Sequence, residues 1–392
     1  MKRIVFTEEF CQPEKLFPFT LTRHIQDIRI GILTIKEKWE CYLGQSSYDK
    51  HEGNYKDSEE SVIIKETIGD DVVYLIHGNV LPTDGLIKKV KKLRHGEFLS
   101  IPEKENFAYC ISKNEVLDAY KIKAKKAIEL NEDLNEIKFP WDIFQMNGWS
   151  IQQDFDLITS KKNSHKISHT NKTTKASDIF VAKGARIEHC ILNATDGPIY
   201  IGKNATIMEG SLIRGPAAIC EGAIIKMGTK IYGATTVGPY CTVGGEVKNS
   251  VFFSNSNKAH DGYIGDSVIG EWCNLGAGTS NSNIKNNASE VMIWTPDGAV
   301  NVGAKCGVMM GDYSRTAINT AINTGTVIGV CCNVFGAGLT PRYIPNFSWG
   351  ADGLNRYSFD KIFPDIENWK KLKNEPLTEQ EKNVLTYIFD NY

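Results

Sequence analysis

The feature that most constrains this sequence is an unbroken six-residue repeat of aliphatic side chains in its second half. A small residue follows four positions after each of the first seven aliphatic residues. A period of six fits neither an α-helix, with about 3.6 residues per turn, nor a strand that alternates every two residues. It is typical of a solenoid with three flat faces, each built from one hexapeptide. The aliphatic positions are Ile201, Ile207, Ile213, Ile219, Ile225, Ile231, Val237 and Val243, and the small ones are Ala205, Ser211, Ala217, Ala223, Thr229, Thr235 and Cys241.

Three hexapeptides would form one coil, with the aliphatic side chain directed to the axis and the small residue in the corner. Stacked coils pair their short strands in parallel and bury one continuous core. The repeat therefore predicts a left-handed parallel β-helix over residues 178–340. Interruptions of the repeat near 190–198, 249–263 and 281–300 predict loops, where ligand contacts concentrate.

The first part of the chain alternates strand-like and helix-like patterns. Ile4–Phe6 and Val72–Ile76 read as buried strands, whereas Leu86–Leu93 and Glu115–Glu132 carry apolar residues at helical spacing. Such alternation predicts an α/β domain over residues 1–159.

Two segments flank the predicted β-helix. Residues 160–177 are polar and basic and predict a linker. Residues 341–392 predict a C-terminal tail with two short helices, 360–373 and 378–390. Because the end of a solenoid is an open sheet edge, this tail would cap it or contact another subunit.

Composition narrows the class of protein. A chain of 392 residues suggests two or more domains, and a net charge of −2 gives no overall attraction to nucleic acid or an anionic membrane. The ten cysteines form no Cys-x-x-Cys pair, which favours reduced thiols in the cytoplasm. The N-terminus lacks an apolar signal core, and no stretch approaches membrane-spanning length. We expect a cytoplasmic protein with neither membrane nor nucleic-acid partners.

The candidate chemistry lies where the unbroken repeat ends. Glu246 and Lys248 close the repeat, and His260 follows twelve residues after the lysine, with Tyr263 three residues later. A histidine suits general-base work on an amine because its ordinary pKa lies near neutral pH. Lysines on either side of it could hold a phosphate.

This ordered string, continued by Asn274–Thr279 and Asn283, resembles one family over roughly residues 180–340. The family is the bifunctional N-acetylglucosamine-1-phosphate uridyltransferase and glucosamine-1-phosphate acetyltransferase, whose acetyltransferase half is a trimeric left-handed β-helix. The resemblance implies a homotrimer with active sites between subunits. It also implies acetyl-coenzyme A as co-substrate and an amino-sugar phosphate, glucosamine-1-phosphate, as acceptor.

The resemblance also implies a role for individual residues. His260 would deprotonate the glucosamine amine for attack on the thioester. Lys226 stands where the family has an arginine. The substrate-binding set is then Lys226, Glu246, Lys248, Tyr263 and Asn274, and the coenzyme A contacts are Ala277, Asn283, Ala337 and Arg342.

The N-terminal half resembles the sugar nucleotidyltransferases. Leu16–Arg23 matches their L-x-P-L-T-x-x-R stretch, and Val73–Val80 matches the strand that ends at a metal-binding aspartate. That aspartate is Asn79 here, and a neutral amide is a poorer Mg²⁺ ligand than a carboxylate. The Gly-rich phosphate loop is replaced by Thr7-Glu8-Glu9. A nucleotide and Mg²⁺ are therefore expected only if uridylyl transfer survives; otherwise the domain binds nucleotide without catalysis or supports the trimer.

Three other readings remain. The β-helix could acylate a different sugar nucleotide, since its loops set the acceptor. It could also be a scaffold without catalysis. A γ-class carbonic anhydrase would need three zinc-binding histidines, but the predicted β-helix holds only His189 and His260, so no metal site is predicted there.

Overall fold

The computed structural model describes residues 2–8, 10–48, 72–101, 106–112, 115, 122, 124–131 and 133–392. The chain divides into two compact units. The first comprises Met1–Leu16, Thr22–Ile28 and Leu33–Lys138, and the second comprises Phe17–Leu21, Arg29–Ile32 and Phe139–Tyr392.

The first unit is built on a five-stranded mixed sheet. Its first two strands are parallel and contribute Val5, Val73 and Leu75 to a buried core. In spatial order the strands are Ile4–Thr7, Val72–His77, Ala108–Ser112, Glu97–Ser100 and Lys126–Glu129. The helices are Ile35–Leu43 and Asp84–Lys92, with 3₁₀ helices at Pro13–Leu16 and Ile25–Asp27 and a short strand at Leu33–Thr34. The predicted α/β class is confirmed.

One predicted helix of this unit is wrong over its described C-terminal part. Within the stretch 115–132, Lys126–Glu129 is an edge strand that pairs in parallel with Glu97–Ser100. Residues 116–121, 123 and 132 of that stretch lie outside the described residues. Helical spacing is a weak signal beside an open sheet edge, whose unpaired N–H and C=O groups offer a strand its hydrogen bonds.

The second unit is a left-handed parallel β-helix, as predicted. Its first face has nine strands: Ile179–Val181, Ile199–Ile201, Ala217–Ile219, Thr235–Val237, Val251–Phe252, Val268–Ile269, Met309–Met310, Val327–Ile328 and Tyr343–Ile344. The second face has eight: Arg186–Ile187, Thr206–Ile207, Ile224–Ile225, Thr242–Val243, Asn257–Lys258, Asn274–Leu275, Arg315–Thr316 and Asn333–Val334. The third has six, Lys172–Thr174, Ile191–Asn193, Leu212–Arg214, Lys230–Tyr232, Glu246–Lys248 and Tyr263–Gly265, and the pair Ser280–Asn281 and Ala321–Ile322 lies beyond them.

The hexapeptide positions have the places that the repeat predicts. The eight aliphatic residues of the unbroken repeat are at most 2% exposed and form one core along the axis. The seven small residues are all fully buried. In-register parallel pairing explains this, since it places each side chain above its counterpart in the coil before.

The three predicted interruptions of the repeat have different outcomes in the structure. The stretch 281–300 does leave the solenoid and carries the antiparallel hairpin Met292–Thr295 with Gly298–Asn301. The stretch 190–198 does lengthen its coil, since Ile199 pairs with Ile179 twenty residues before it but with Ala217 eighteen residues after it, although residues 191–193 form a third-face strand. The predicted loop is wrong for 249–263, which contributes first-face and second-face strands to a shortened coil. The aliphatic signal fails there for two reasons. The coil is three residues shorter, since Val243 pairs with Lys258 fifteen residues on whereas Ile225 pairs with Val243 eighteen residues on, and Lys258 takes the interior position of the second face.

The segments flanking the solenoid pack on it. Residues 160–177, predicted as a linker, contain a 3₁₀ helix beginning at Ala176 and the strand Lys172–Thr174, which pairs with Ile191–Asn193. Helices Asp142–Gln145 and Asn147–Thr159 and strand Arg29–Ile30 belong to this unit as well. On the first face, the Asn147 amide oxygen accepts hydrogen bonds from Gly31 N (2.7 Å) and Thr236 Oγ1 (3.1 Å).

The predicted helical tail is confirmed, with helices Phe359–Lys371 and Glu379–Asn391. Lys373 Nζ donates to the main-chain oxygens of Tyr240 and Asn255, which anchors the tail to the corner between the first and second faces. Within the described part of the chain, no helix is long and apolar enough to span a bilayer.

Burial in the solenoid axis predicts a large difference between two identical substitutions. Ile201 is fully buried, whereas Ile191 is 48% exposed on the third face. We expect Ile201→Ala to lower the free energy of unfolding by about 2–5 kcal/mol, because it leaves a cavity, and Ile191→Ala to lower it by about 1 kcal/mol or less. Denaturant unfolding of both variants beside wild type tests this, and equal losses would contradict it.

Candidate active site

The predicted catalytic residue lies at the corner where the chain passes from the second face to the third. Main-chain hydrogen bonds stack this corner from coil to coil: Lys226 N donates to Val243 O (2.8 Å), and Gly244 N donates to Lys258 O (2.7 Å). The next coil continues the stack with Ala277. Lys226, His260 and Ala277 thus share one edge, with Lys226 two coils before His260 and Ala277 one coil after it, and the His260 side chain is exposed.

The corner is too crowded for side chains at its glycines. Gly245 has φ +74°, and a β-carbon there would lie 2.8 Å from Gly262 O. Gly262 has φ +126°, and a β-carbon there would lie 2.1 Å from Thr279 O. Glycine is required where backbones approach this closely and φ is positive. The His260 imidazole is therefore carried by a tightly stacked corner of the solenoid, and not by a loop that leaves it.

The third face next to this corner carries outward polar side chains. Glu246 and Tyr263 are direct partners on neighbouring strands. Tyr232 Oη donates to Glu246 Oε1 at 2.6 Å, and Lys248 Nζ lies 5.9 Å from the centre of the Tyr232 ring. This bond to Glu246, aided by burial, raises the pKa of Tyr232 to about 12. The phenol therefore stays protonated and fixes one oxygen of the carboxylate.

A second polar group lies at the far end of the same face. Asn283 Nδ2 donates to Tyr263 Oη (3.0 Å) and to Asp266 Oδ2, while Asn249 Nδ2 donates to Asp266 Oδ1 (2.7 Å). Burial, helped by the charges of Asp266 and Glu246, raises the pKa of Tyr263 to about 12. The Tyr263 hydroxyl is thus a fixed, protonated group that can donate to a ligand oxygen.

The arrangement brings together most of the predicted substrate-binding residues but separates others. Asn274 faces outward on the second face between Asn257 and Arg315, across the corner from Tyr263. Ala337 is exposed beyond strand Asn333–Val334, two coils past Ala277 at the same corner. Arg342 precedes the first-face strand Tyr343–Ile344, where its carbonyl accepts from Val327 N (2.8 Å). It therefore lies at a different corner from His260.

Sequence reasoning missed the roles of Tyr232, Asn249 and Asp266. It was wrong to count Lys258 among the lysines that could hold a phosphate, because this side chain lies in the solenoid interior. Tyr232 directly follows the interior Ile231, so strand alternation alone could have placed it on the outer surface beside Lys248. Asp266 is 4% exposed and has φ +49°. Its two amide partners come from the preceding coil and from beyond the next strand, which no local pattern in the sequence signals.

The position at which the resembled family has a metal-binding aspartate does not fit Mg²⁺ here. Asn79 Oδ1 accepts a hydrogen bond from the Cys11 thiol (3.3 Å), whose pKa burial raises to about 12. The nearby Glu8 carboxylate accepts from Ile25 N (2.6 Å) and lies 3.1 Å from His24 Nδ1. Mg²⁺ needs several hard oxygen ligands in octahedral geometry. Among the described residues, no group of three His, Cys, Asp or Glu side chains could hold a metal ion.

Comparison with known proteins finds both a family model and individual relatives. Residues 4–163 match the family model described as "Sugar nucleotidyl transferase". The chain is 30% identical over 219 residues to the bifunctional protein GlmU of Methanocaldococcus jannaschii, covering 56% of this chain and 48% of that protein. The resemblance inferred from the sequence is confirmed.

Two further relatives also have the names of transferases. The bifunctional sugar-1-phosphate nucleotidylyltransferase/acetyltransferase of Sulfurisphaera tokodaii is 29% identical over 244 residues, covering 58% of this chain and 52% of that protein. An uncharacterized acetyltransferase, YaiX, of Escherichia coli is 28% identical over 185 residues, covering 44% of this chain and 72% of that protein. The chain spans about half the length of the bifunctional relatives.

The poor fit to Mg²⁺ predicts that the first unit does not transfer a uridylyl group. We expect no Mg²⁺-dependent release of pyrophosphate from UTP and N-acetylglucosamine-1-phosphate, because Asn79 supplies no charge and its oxygen is engaged by Cys11. A coupled pyrophosphate assay tests this, with circular dichroism to establish that the protein is folded. Sustained turnover would contradict it.

Proposed function

We propose that the β-helix transfers the acetyl group of acetyl-coenzyme A to the amine of an amino-sugar phosphate, with glucosamine-1-phosphate as the first candidate. The observation that carries this proposal is the exposed His260 on a stacked corner, with Lys226 two coils earlier on the same edge and with Lys248 and Glu246 on the adjoining face. The similarity to bifunctional transferases supports the same class of reaction.

In the proposed reaction His260 is the general base. Its imidazole takes a proton from the sugar amine as the nitrogen attacks the thioester carbonyl. The new bond is an amide C–N bond, and the bond that breaks is the C–S bond. The coenzyme leaves as a thiolate and takes up a proton to give the free thiol. Proton transfer of this kind accounts for about 10²–10⁴-fold in rate.

The charged and polar side chains on this edge and face form the rest of the proposed acceptor site. A sugar phosphate carries negative charge, and the ammonium groups of Lys226, on the same edge as His260, and of Lys248, on the adjoining face, would bind it. Tyr263 offers a protonated hydroxyl. Glu246, held by Tyr232, can accept a hydrogen bond from a sugar hydroxyl or from the substrate ammonium.

The coenzyme would follow the corner beyond His260. Ala277 leaves space there for the thioester arm, and Ala337 lies farther along the same edge. Asn283, at the far end of the third face, keeps its amide oxygen as an acceptor for the pantetheine amides. Arg342 is left out of this path because it stands at a different corner.

We also propose a homotrimer, since His260 is exposed on the solenoid surface, where a neighbouring subunit would cover it. Light scattering after gel filtration should give three times the chain mass of 43.7 kDa. A monomer with full activity would reject this part of the proposal.

Removal of His260 tests the chemistry. With acetyl-coenzyme A and glucosamine-1-phosphate, His260→Ala should lower kcat about 100-fold or more, measured as release of free thiol. His169→Ala removes an exposed histidine outside the site and should leave the rate unchanged. Wild-type rate in His260→Ala would reject the assignment, and turnover only with a nucleotide-linked amino sugar would establish the alternative acceptor.

Removal of Lys248 tests the phosphate contact. Lys248→Ala should raise KM for glucosamine-1-phosphate about 10-fold while changing KM for unphosphorylated glucosamine little, because only the phosphate loses its cation. The control is Lys203→Ala, which removes an exposed lysine paired with Glu221 at another corner. An equal change for both sugars would show that Lys248 does not contact the phosphate.

A further inference from the structure

Lys258 occupies an inward position of the second face that is aliphatic in every other coil of this row except that of Thr316. It pairs in register with Val243, and Leu275 stands above it in the next coil. Its side chain is 2% exposed. From one end of the solenoid to the other, the inward residues of the second face are Ile187, Ile207, Ile225, Val243, Lys258, Leu275, Thr316 and Val334.

The buried ammonium has a specific partner. Lys258 Nζ donates to the main-chain oxygen of His260, two residues ahead at the corner. The carbonyls on either side of it are satisfied differently: Lys258 O accepts from Gly244 N, Asp261 O from Gly278 N and Gly262 O from Glu246 N. Whereas main-chain N–H groups hold these carbonyls, the carbonyl of His260 is held by a side chain from the core.

Stability alone does not explain a lysine at this position. Moving an ammonium from water into an apolar interior is unfavourable, and a hydrophobic residue of similar volume is often neutral or stabilising there. Burial lowers the pKa of Lys258 to about 8, opposed by the negative charge of Asp261. The inward side chains of the same coil and the next, including Phe252, Ile264 and Ile269, are apolar. Within the described residues, Asp261 is thus the charged group that acts on Lys258.

We propose that Lys258 is a positioning residue for His260, an inference that rests on the proposed acetyltransferase function. Its ammonium draws the His260 carbonyl toward the solenoid interior and thereby fixes the main chain from which the imidazole projects outward. A charge-assisted hydrogen bond is about twice as strong as a neutral one. A general base misplaced by about 1 Å can lose about 100-fold in rate, so fixing this peptide bears directly on kcat.

The test replaces the ammonium without emptying its space. Lys258→Met should fold with a melting temperature equal to or above that of wild type, yet lower kcat about 10-fold with KM for both substrates changed less than about twofold. Ile207→Met, in the same inward row three coils earlier, is the matched control and should keep wild-type kcat. Wild-type kcat in Lys258→Met would overturn the proposal.

The pH profile separates positioning from a packing role. The folded-state pKa of about 8 lies below the ordinary value for lysine, so the ammonium is present below pH 8 and lost above it. The kcat of wild type should therefore fall as pH rises through about 8, toward the lower value of Lys258→Met, whose own profile should lack that step. The same step in both proteins would overturn the proposal.

One measurement is independent of activity. Hydrogen exchange of the peptide covering residues 259–263 should be faster in Lys258→Met than in Ile207→Met, because the corner loses its tie to the core. If exchange is faster in Lys258→Met but wild type has no acetyltransferase activity, the proposed function is rejected and the hydrogen bond from Lys258 to the His260 carbonyl is retained. Activity that depends on His260, with unchanged exchange and kcat in Lys258→Met, would reject only the positioning role.

Discussion

In-register hydrogen bonding between successive coils is the constraint on which the solenoid unit depends. Each short strand pairs in parallel with the strand one coil earlier, so inward side chains form continuous rows and corners stack on corners. The inward rows give the axis its core, and the stacked corners give the outer surface its edges. Lys226, His260 and Ala277, far apart in sequence, share one edge as a result.

The same constraint explains why the site lies at a corner. A flat face presents alternate side chains of short strands, whereas a corner lets the chain turn and expose a side chain beside two faces. Gly245 and Gly262 permit the close stacking that this turn requires. The adjoining face adds Tyr232, Glu246 and Lys248, ordered by hydrogen bonding and by the proximity of the lysine to the tyrosine ring.

The two units differ in how far their residues fit the chemistry of their relatives. In the first unit, Cys11 engages Asn79 where the resemblance expects a metal-binding carboxylate. In the second, a histidine, two lysines and a tyrosine lie around one corner and its adjoining face. Lys258 extends this site into the core, since its ammonium contacts the main chain of His260 from a position that packing alone would give to an aliphatic side chain.

The sequence by itself determined the β-helix and its inward rows, because a six-residue period with buried small residues has few other solutions. It also indicated His260, Lys248 and Tyr263, whose order and spacing are local. It could not show that residues 249–263 belong to a coil, since that coil is three residues shorter than the one before it and Lys258 replaces its aliphatic residue. Only the tertiary structure decided that Asn274 and Arg342 stand apart from the third face and that Asn249 and Asn283 meet at Asp266. Those relations are set by which coil stacks on which, and coils of unequal length shift the register between corners in a way that no local pattern records.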